Sequence, residues 1–187
     1  AAAYYRDGQL IQAITRGDGT VGEDITANAL RFKGLPAWVG SPDQGFTGAV
    51  RFEVILTVAD WSRIDPTRSK NPRNAGNGIM GRKNGHQSDC LTIFAFDLDE
   101  TLDGRSVDFP TETDKTARLA ELGFNLVKFR VQWNATHRAP DHFDMGELQE
   151  MLESCDRVGL GMLVEFGMVS LASSVWMIGV IVHFVTA

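Results

Sequence analysis

The stretch that decides the reading is "TRGDGTVGEDITAN", Thr15 to Asn28. It sets glycines and acidic residues around a single arginine and then leads into what reads as the start of a helix. Solvent loops are often polar and Gly-rich. This one follows a clear strand, and it is dense in residues with special backbone or capping geometry. On spacing alone Arg16 reads as a surface arginine in a Gly turn, paired with Asp18. The open question is what would need an arginine, a tight turn and a helix N-terminus so close together.

Upstream, "AAAYYRDGQLIQAITRG" reads as a hairpin turned at Asp7-Gly8, with Leu10, Ala13 and Ile14 filling the second strand. Downstream, "GEDITANALRF" predicts a short helix carrying Glu23 and Asp24 in its first turn, where the helix dipole favours them. "FTGAVRFEVILTV" is apolar and β-branched, a strand, and Thr57 is placed to cap a short helix after it. "NPRNAGNGIMGRKNG" reads as a short, strained helix between loops, and "CLTIFAFDL" as a buried strand. "TETDKTARLAELGF" is the best helix, with Thr111 as cap, Asp114 completing a capping box and Gly123 as stop. A strand, "LVKFRVQW", and a second amphipathic helix with Met145, Leu148, Met151, Leu152 and Cys155 near one face follow. Strands and helices mix without strict alternation, which predicts an α+β fold of mainly antiparallel sheet with flanking helices.

The 187 residues are 43% hydrophobic and 22% charged, an ordinary globular composition. A net charge of -6 supplies no global basic field toward nucleic acid. Cys90 and Cys155 stand far apart with no Cys-x-x-Cys, which argues against a structural zinc site and for a reducing compartment. With no initiator Met and an opening inside a strand, the chain reads as a piece of a longer protein.

Arg51 and Glu53 share one face of a strand, as an ion-pair position or as the polar floor of a ligand site. Arg63 to Lys83 is the most basic segment, with Arg63, Arg68, Lys70, Arg73, Arg82 and Lys83 against Asp65 alone. Its interleaved Gly and Asn offer backbone N–H groups, a composition that suits phosphate. "FAFDLDETLDG" resembles the first motif of haloacid-dehalogenase-type phosphatases, with Asp97 as nucleophile, Asp99 as acid/base and Thr101 on phosphate. The downstream partners of that motif are absent, and Lys115 and Lys128 stand in no motif. An acidic turn closing a hairpin is the simpler reading. His137 and His142 lack helical ligand spacing, so no metal site is assigned to them.

Several segments together resemble bacterial NAD-dependent DNA ligases. "YRDGQLIQAITRGDGTVGEDITAN" is similar to the stretch that follows their nucleophilic lysine, and its Thr-Arg-Gly-Asp-Gly-x-x-Gly-Glu-Asp-x-Thr-x-Asn run is long and specific. "ALRFKGLP" continues it, with Arg31 and Leu35-Pro36. "VRFEV" resembles the Arg-Gly-Glu-Val motif with Phe52 in place of glycine, and "NPRNAGNG" resembles an Asn-Pro-Arg-Asn run. The resemblance implies a truncated nucleotidyltransferase (adenylation) domain with an ATP-grasp-like core. It implies NAD as the adenylate source, Mg²⁺ in the parent, nicked duplex DNA as partner and a cytoplasmic setting. It places Arg16 on the bound nucleotide, Glu53 on the ribose and Arg73 near phosphate or the nicotinamide mononucleotide half. Arg82 and Lys83 are candidates for DNA phosphates. Arg16, Glu53 and Arg73 are expected to line one cleft, and the opening hairpin to pair with the Val50–Leu56 strand.

The departures bear on activity. The nucleophilic lysine belongs to a Lys-x-Asp-Gly motif just upstream of residue 1, so no catalytic residue is assigned within the chain. A later Glu-x-Asp-Gly-x-Val-x-Lys motif falls near "VEFGMVSLASS", where Glu165 survives but the aspartate and lysine do not. Residues 1–157 read as a partial adenylation domain and 158–187 as a degraded, apolar part of it. Gly167 to Thr186 carries no Asp, Glu, Lys or Arg, about the ~20 residues of a spanning helix. Its serines, Gly179, His183 and β-branched residues favour buried strands over a membrane anchor. The competing expectations are a ligase fragment inactive by itself, a phosphatase built on Asp97, and a non-catalytic adenylate-binding remnant.

Overall fold

A computed structural model describes residues 1–17, 21–41, 44–64, 71–132, 137–139, 142–167 and 178–183. Asp7 and Gly8, at φ 49° and 85°, form the left-handed pair a two-residue hairpin needs, and they join β1 (Ala2–Arg6) to β2 (Gln9–Ile14). In β1 the buried Ala3 and Tyr5 alternate with exposed neighbours, the period of a strand with one face on the core. The chain then passes through α1 (Thr26–Ala29), β3 (Gly40–Ser41) and β4 (Gln44–Gly45) into β5 (Gly48–Leu56). Thr57 caps α2 (Val58–Trp61), its hydroxyl accepting from Asp60 N. Asn71 caps α3 (Pro72–Met80) in the same way, with Pro72 in the first turn, where its missing N–H costs nothing.

A single 3₁₀ turn, Ser88–Cys90, leads into β6 (Leu91–Leu102), which turns back at Asp103-Gly104 to β7 (Arg105–Ser106). The capping box of Thr111 and Asp114 starts α4 (Glu112–Glu121) as expected. There follow β8 (Leu126–Gln132), the small hairpin β9 (His137–Ala139) and β10 (His142–Phe143), α5 (Gly146–Val158), β11 (Gly161–Gly167) and β12 (Ile178–His183).

Among the described residues the main sheet has eight strands in the order β12-β11-β8-β6-β5-β1-β2, with β7 appended to β6. β1 pairs with β5 from Ala2↔Arg51 to Tyr5↔Gly48, so the opening hairpin joins the expected strand through its first half. β5 and β6 run antiparallel from Gly48↔Glu100 to Leu56↔Leu91. The fold is α+β and the main sheet is mainly antiparallel, as expected, with two parallel pairings. β8 is parallel to β6, and β11 is parallel to β8, because α4 and α5 serve as crossovers along residues 91–167.

Two local expectations change, and the apolar tail forms strand as expected. α1 begins at Thr26, so Glu23 and Asp24 precede it; Ile14 and Asp24 form a β-bridge instead. Asp97 to Leu102 is not an acidic turn but the continuation of β6, and the turn is confined to Asp103-Gly104. The apolar tail contributes β12, antiparallel to β11, while residues 168–177 and 184–187 lie outside the described residues. Among the described residues no helix is long and apolar enough to cross a membrane.

Phe52 stands where the resembling motif has glycine, and it is wholly buried opposite Ala95. A large side chain beside a small one keeps the layer at ordinary packing density. The register shifts between Arg51 and Phe52, which face Asp97 and Ala95, so Phe96 is the extra residue of a bulge. Phe52→Ala should cost about 3–5 kcal/mol in urea denaturation. A loss below about 1 kcal/mol would mean that the site collapses around alanine and that Phe52 is not part of the tightly packed core.

Candidate functional site

The described part of the Thr15–Asn28 segment is held by hydrogen bonds among its own residues and to Ala13 and the end of α3. Thr15 N donates to Glu23 O at 3.0 Å, and Glu23 N donates to the Thr15 hydroxyl at 2.9 Å, pinching the loop between them at its neck. Gly22 is required there, because a Cβ would lie 2.1 Å from Thr15 O. Gly17 sits at φ 55°, where a Cβ would meet Val21 O at 1.8 Å. Asp24 accepts from Thr26 N at 2.9 Å and from the Thr26 hydroxyl at 2.6 Å, and that hydroxyl accepts from Ala13 N at 2.9 Å. Asn28 reaches across to the end of α3, donating to Met80 O at 2.7 Å and Arg82 O at 2.8 Å. Most of the motif is therefore scaffold, and it presents the exposed Arg16 at the mouth of a cleft.

The cleft is two adjoining hollows of about 670 and 620 Å³ that share Arg16, Glu53, Val54, Asn77, Met80, Lys128 and Arg130. Volumes of roughly 300–1,000 Å³ suit small ligands and cofactors. Arg73, from the first turn of α3, lines the second hollow. Arg16, Glu53 and Arg73, which lie far apart in sequence, are thus brought to one continuous cleft. Among the described residues Arg16 and Arg73 have no carboxylate within ion-pair reach; Asp18, the sequence-based partner of Arg16, lies outside them.

The floor holds a charge cluster that the sequence reading missed. Lys128 Nζ lies 3.3 Å from Glu53 Oε2 and 3.0 Å from Glu165 Oε2, and its ammonium sits 5.3 Å from the centre of the Phe96 ring. Arg130 Nη2 lies 3.0 Å from the same Glu165 oxygen. The Lys128 side chain is 12% exposed and that of Glu165 17%, against 52% for Glu53. Burial works to raise the Glu165 carboxyl, but the hydrogen bonds and charges of Lys128 and Arg130 outweigh it and hold it below the usual carboxylate range. The signal was present in "LVKFRV", where two cations alternate with buried Val127, Phe129 and Val131, giving β8 one polar face.

Arg82 and Lys83 fall outside both hollows. The Arg82 guanidinium turns to His86 O at 3.2 Å and Gln87 Oε1 at 2.6 Å, and Lys83 is exposed. Asp97 does not stand at the end of its strand, as the phosphatase motif needs: β6, which meets the parallel β8 at Ala95, runs on to Leu102. It lies within β6, antiparallel to β5, and is paired to Arg51 and, at 2.9 Å, to Lys115. Asp99 pairs with Arg51 at 2.8 Å. Burial raises the Asp97 carboxyl, yet Lys115 and Arg51 keep it below its ordinary value, so it is held as an ion-pair partner. His137 and His142 fall on β9 and β10, and their side chains lie outside the described residues. Cys90 and Cys155 are both buried, and burial pushes the Cys155 thiol up to about 11.

The donor set of the cleft does not fit a divalent ion. Among the described residues no three His, Cys, Asp or Glu side chains gather as a metal site. The two carboxylates of the floor, Glu53 and Glu165, are already bridged by the Lys128 ammonium.

Comparison with known proteins agrees with the motif reading. The family model described as the NAD-dependent DNA ligase adenylation domain matches residues 1–157. A DNA ligase of Treponema denticola is 37% identical over 139 residues, covering 67% of this chain and 21% of its own length. A DNA ligase of Sorangium cellulosum is 38% identical over 120 residues, 64% of this chain and 16% of that protein. One of Bdellovibrio bacteriovorus reaches 41% identity over 83 residues, 41% of this chain and 12% of the relative. The chain spans about a fifth or less of the length of these relatives.

The lowered Glu165 value has a consequence for stability. Its folded value lies below its unfolded value, so its contribution is present above the unfolded value of about 4.3 and is lost as pH falls through the folded one. Glu165→Gln should therefore cost about 1–2 kcal/mol at pH 7. That cost should shrink as pH falls below the ordinary carboxylate range. Urea midpoints across this range check it, and a pH-independent cost would remove the ion pairing as its source.

Proposed function

Because this chain belongs to the family of NAD-dependent DNA ligase adenylation domains, we propose that its cleft receives the adenylate half of NAD. Arg16 reaches the nucleotide, Glu53 accepts from the ribose hydroxyls, and Arg73 stands by the phosphates or the nicotinamide mononucleotide half. The observation that carries this reading is the convergence of these three residues on one cleft, where Arg16 and Arg73 have no carboxylate within ion-pair reach among the described residues. An uncommitted guanidinium is free to take a phosphate through paired N–H donors.

In the parent enzyme a lysine amine attacks the α-phosphorus of NAD. The bond to the nicotinamide mononucleotide phosphate breaks, and negative charge collects on the leaving group and the phosphoryl oxygens, which is where arginines lower the barrier. The adenylate then passes to a 5′-phosphate of nicked duplex DNA, and the 3′-hydroxyl displaces AMP to seal the nick. Arg82 and Lys83 contact DNA phosphates in that later step. The resemblance puts the nucleophile in a Lys-x-Asp-Gly segment ahead of Ala1. Ala1 lines the cleft, so a segment running into it would bring its lysine to the same cavity. This chain carries no Lys-x-Asp-Gly motif within its own sequence, and no nucleophile is assigned in it. Sealing nicks in replication and repair, in the cytoplasm, belongs to the parent. The use of Mg²⁺ in the parent is not carried by the described residues of this cleft.

Two measurements test this. AMP titrated into the chain should perturb backbone amide signals of β5, β8 and the Arg16 loop, and Arg16→Ala should weaken binding about tenfold, the loss of one charge-assisted contact. Unchanged affinity would remove Arg16 from the site. Intact mass after incubation with NAD and Mg²⁺ should show no added AMP; a stable gain of one AMP would mean that a lysine of this chain acts as nucleophile.

A further inference from the structure

The charge cluster on the cleft floor goes beyond the adenylate reading, on which the following inference rests. Glu53 on β5 and Glu165 on β11 approach one another across the sheet, and Lys128 of β8 stands between them at 3.3 and 3.0 Å. Bridging two carboxylates beside a phosphate is the work usually given to a divalent ion, held by one or two carboxylates and completed by phosphate oxygens. Here that position is filled by an ammonium. We propose that Lys128 is the built-in cation of this cleft: it replaces a divalent ion between Glu53 and Glu165 and offers its remaining donor to the phosphate of the nucleotide.

Three observations support the assignment. An ammonium has three N–H donors, and two are spent on the carboxylates, which leaves one for a ligand. The Phe96 ring, 5.3 Å away, and the low exposure of the side chain hold the ammonium in place rather than letting it swing into water. The local charge also closes. Glu53 and Glu165 are balanced by Lys128 and Arg130, so a divalent ion entering here would meet two resident cations at side-chain distance. Nucleotide binding by this chain is therefore independent of divalent metal.

The test uses the whole chain and AMP, in EDTA and in Mg²⁺ at matched ionic strength. Wild type should bind equally in both. Lys128→Met should lose about tenfold in EDTA and regain most of it with Mg²⁺, while Lys128→Arg should keep metal-independent binding. A wild-type affinity that rises about tenfold with Mg²⁺, or a Lys128→Met variant that binds in EDTA as well as wild type, would overturn the inference while leaving the adenylate site standing. Absence of AMP binding by wild type in either buffer would instead remove the adenylate site, and the phosphate contact of Lys128 with it. The cation role has its own readout in Mn²⁺-induced broadening of amide signals. Wild type should show none at Glu53 and Glu165, and Lys128→Met should gain it and lose it again on adding Glu165→Gln. Broadening at those residues in wild type, a measurement that needs no variant to fold, would overturn the proposal.

Discussion

The structure depends on the ladder between β5 and β6. Its pairs, from Leu56↔Leu91 outward to Gly48↔Glu100, join two halves built on different rules. On one side lie β1 and β2, a hairpin closed by a two-residue turn and needing only local order. On the other lie β8 and β11, parallel strands that reach the sheet only through helical crossovers. Such pairings cost loop-closure entropy before any contact offsets it. The buried face of this central pair, with Phe52 against Ala95 and Leu91 and Ile93 fully enclosed, supplies the apolar burial that offsets it.

The same ladder sets the site. The bulge at Phe96 shifts the alternation of β6, bringing Asp97 opposite Arg51 and leaving the Phe96 ring beneath the Lys128 ammonium. Two ion-pair groups result. Asp97, Asp99, Arg51 and Lys115 tie β5, β6 and α4 together and are committed to structure. Glu53, Lys128, Glu165 and Arg130 tie β5, β8 and β11 together and face the cleft. Only the second group adjoins Arg16 and Arg73, which have no carboxylate within ion-pair reach among the described residues, and this is the ground for proposing the cleft rather than the Asp-x-Asp motif as the place for an anionic ligand.

A string of specific residues need not all touch ligand. In the Thr15–Asn28 segment, Thr15, Asp24, Thr26 and Asn28 each hold a stated backbone group, and Gly22 leaves room for the Thr15 carbonyl. Their precision fixes Arg16. Asn28 also ties this segment to the end of α3, the helix that carries Arg73, so two of the candidate ligand residues are positioned by one amide side chain. Family motifs of this density are legible in sequence because backbone geometry tolerates so few alternatives at such positions.

The sequence by itself determined what local chemistry decides. The Asp7-Gly8 turn, the Thr57 and Thr111 caps and the capping box with Asp114 were legible, because each rests on contacts within a few residues; Arg16, Glu53 and Arg73 were singled out by a specific string. The tertiary structure alone decided three things. It set β8 parallel to β6 and β11 parallel to β8, since a crossover depends on how α4 and α5 pack and not on strand pattern. It kept Asp97 to Leu102 in a strand, because Arg51 and Lys115, distant in sequence, neutralise Asp97. And it put Lys128 between Glu53 and Glu165, a contact bridging separations of 75 and 37 residues that no local pattern encodes, because the order of strands in a sheet is fixed by burial of the whole face and only then by the charges that face one another across it.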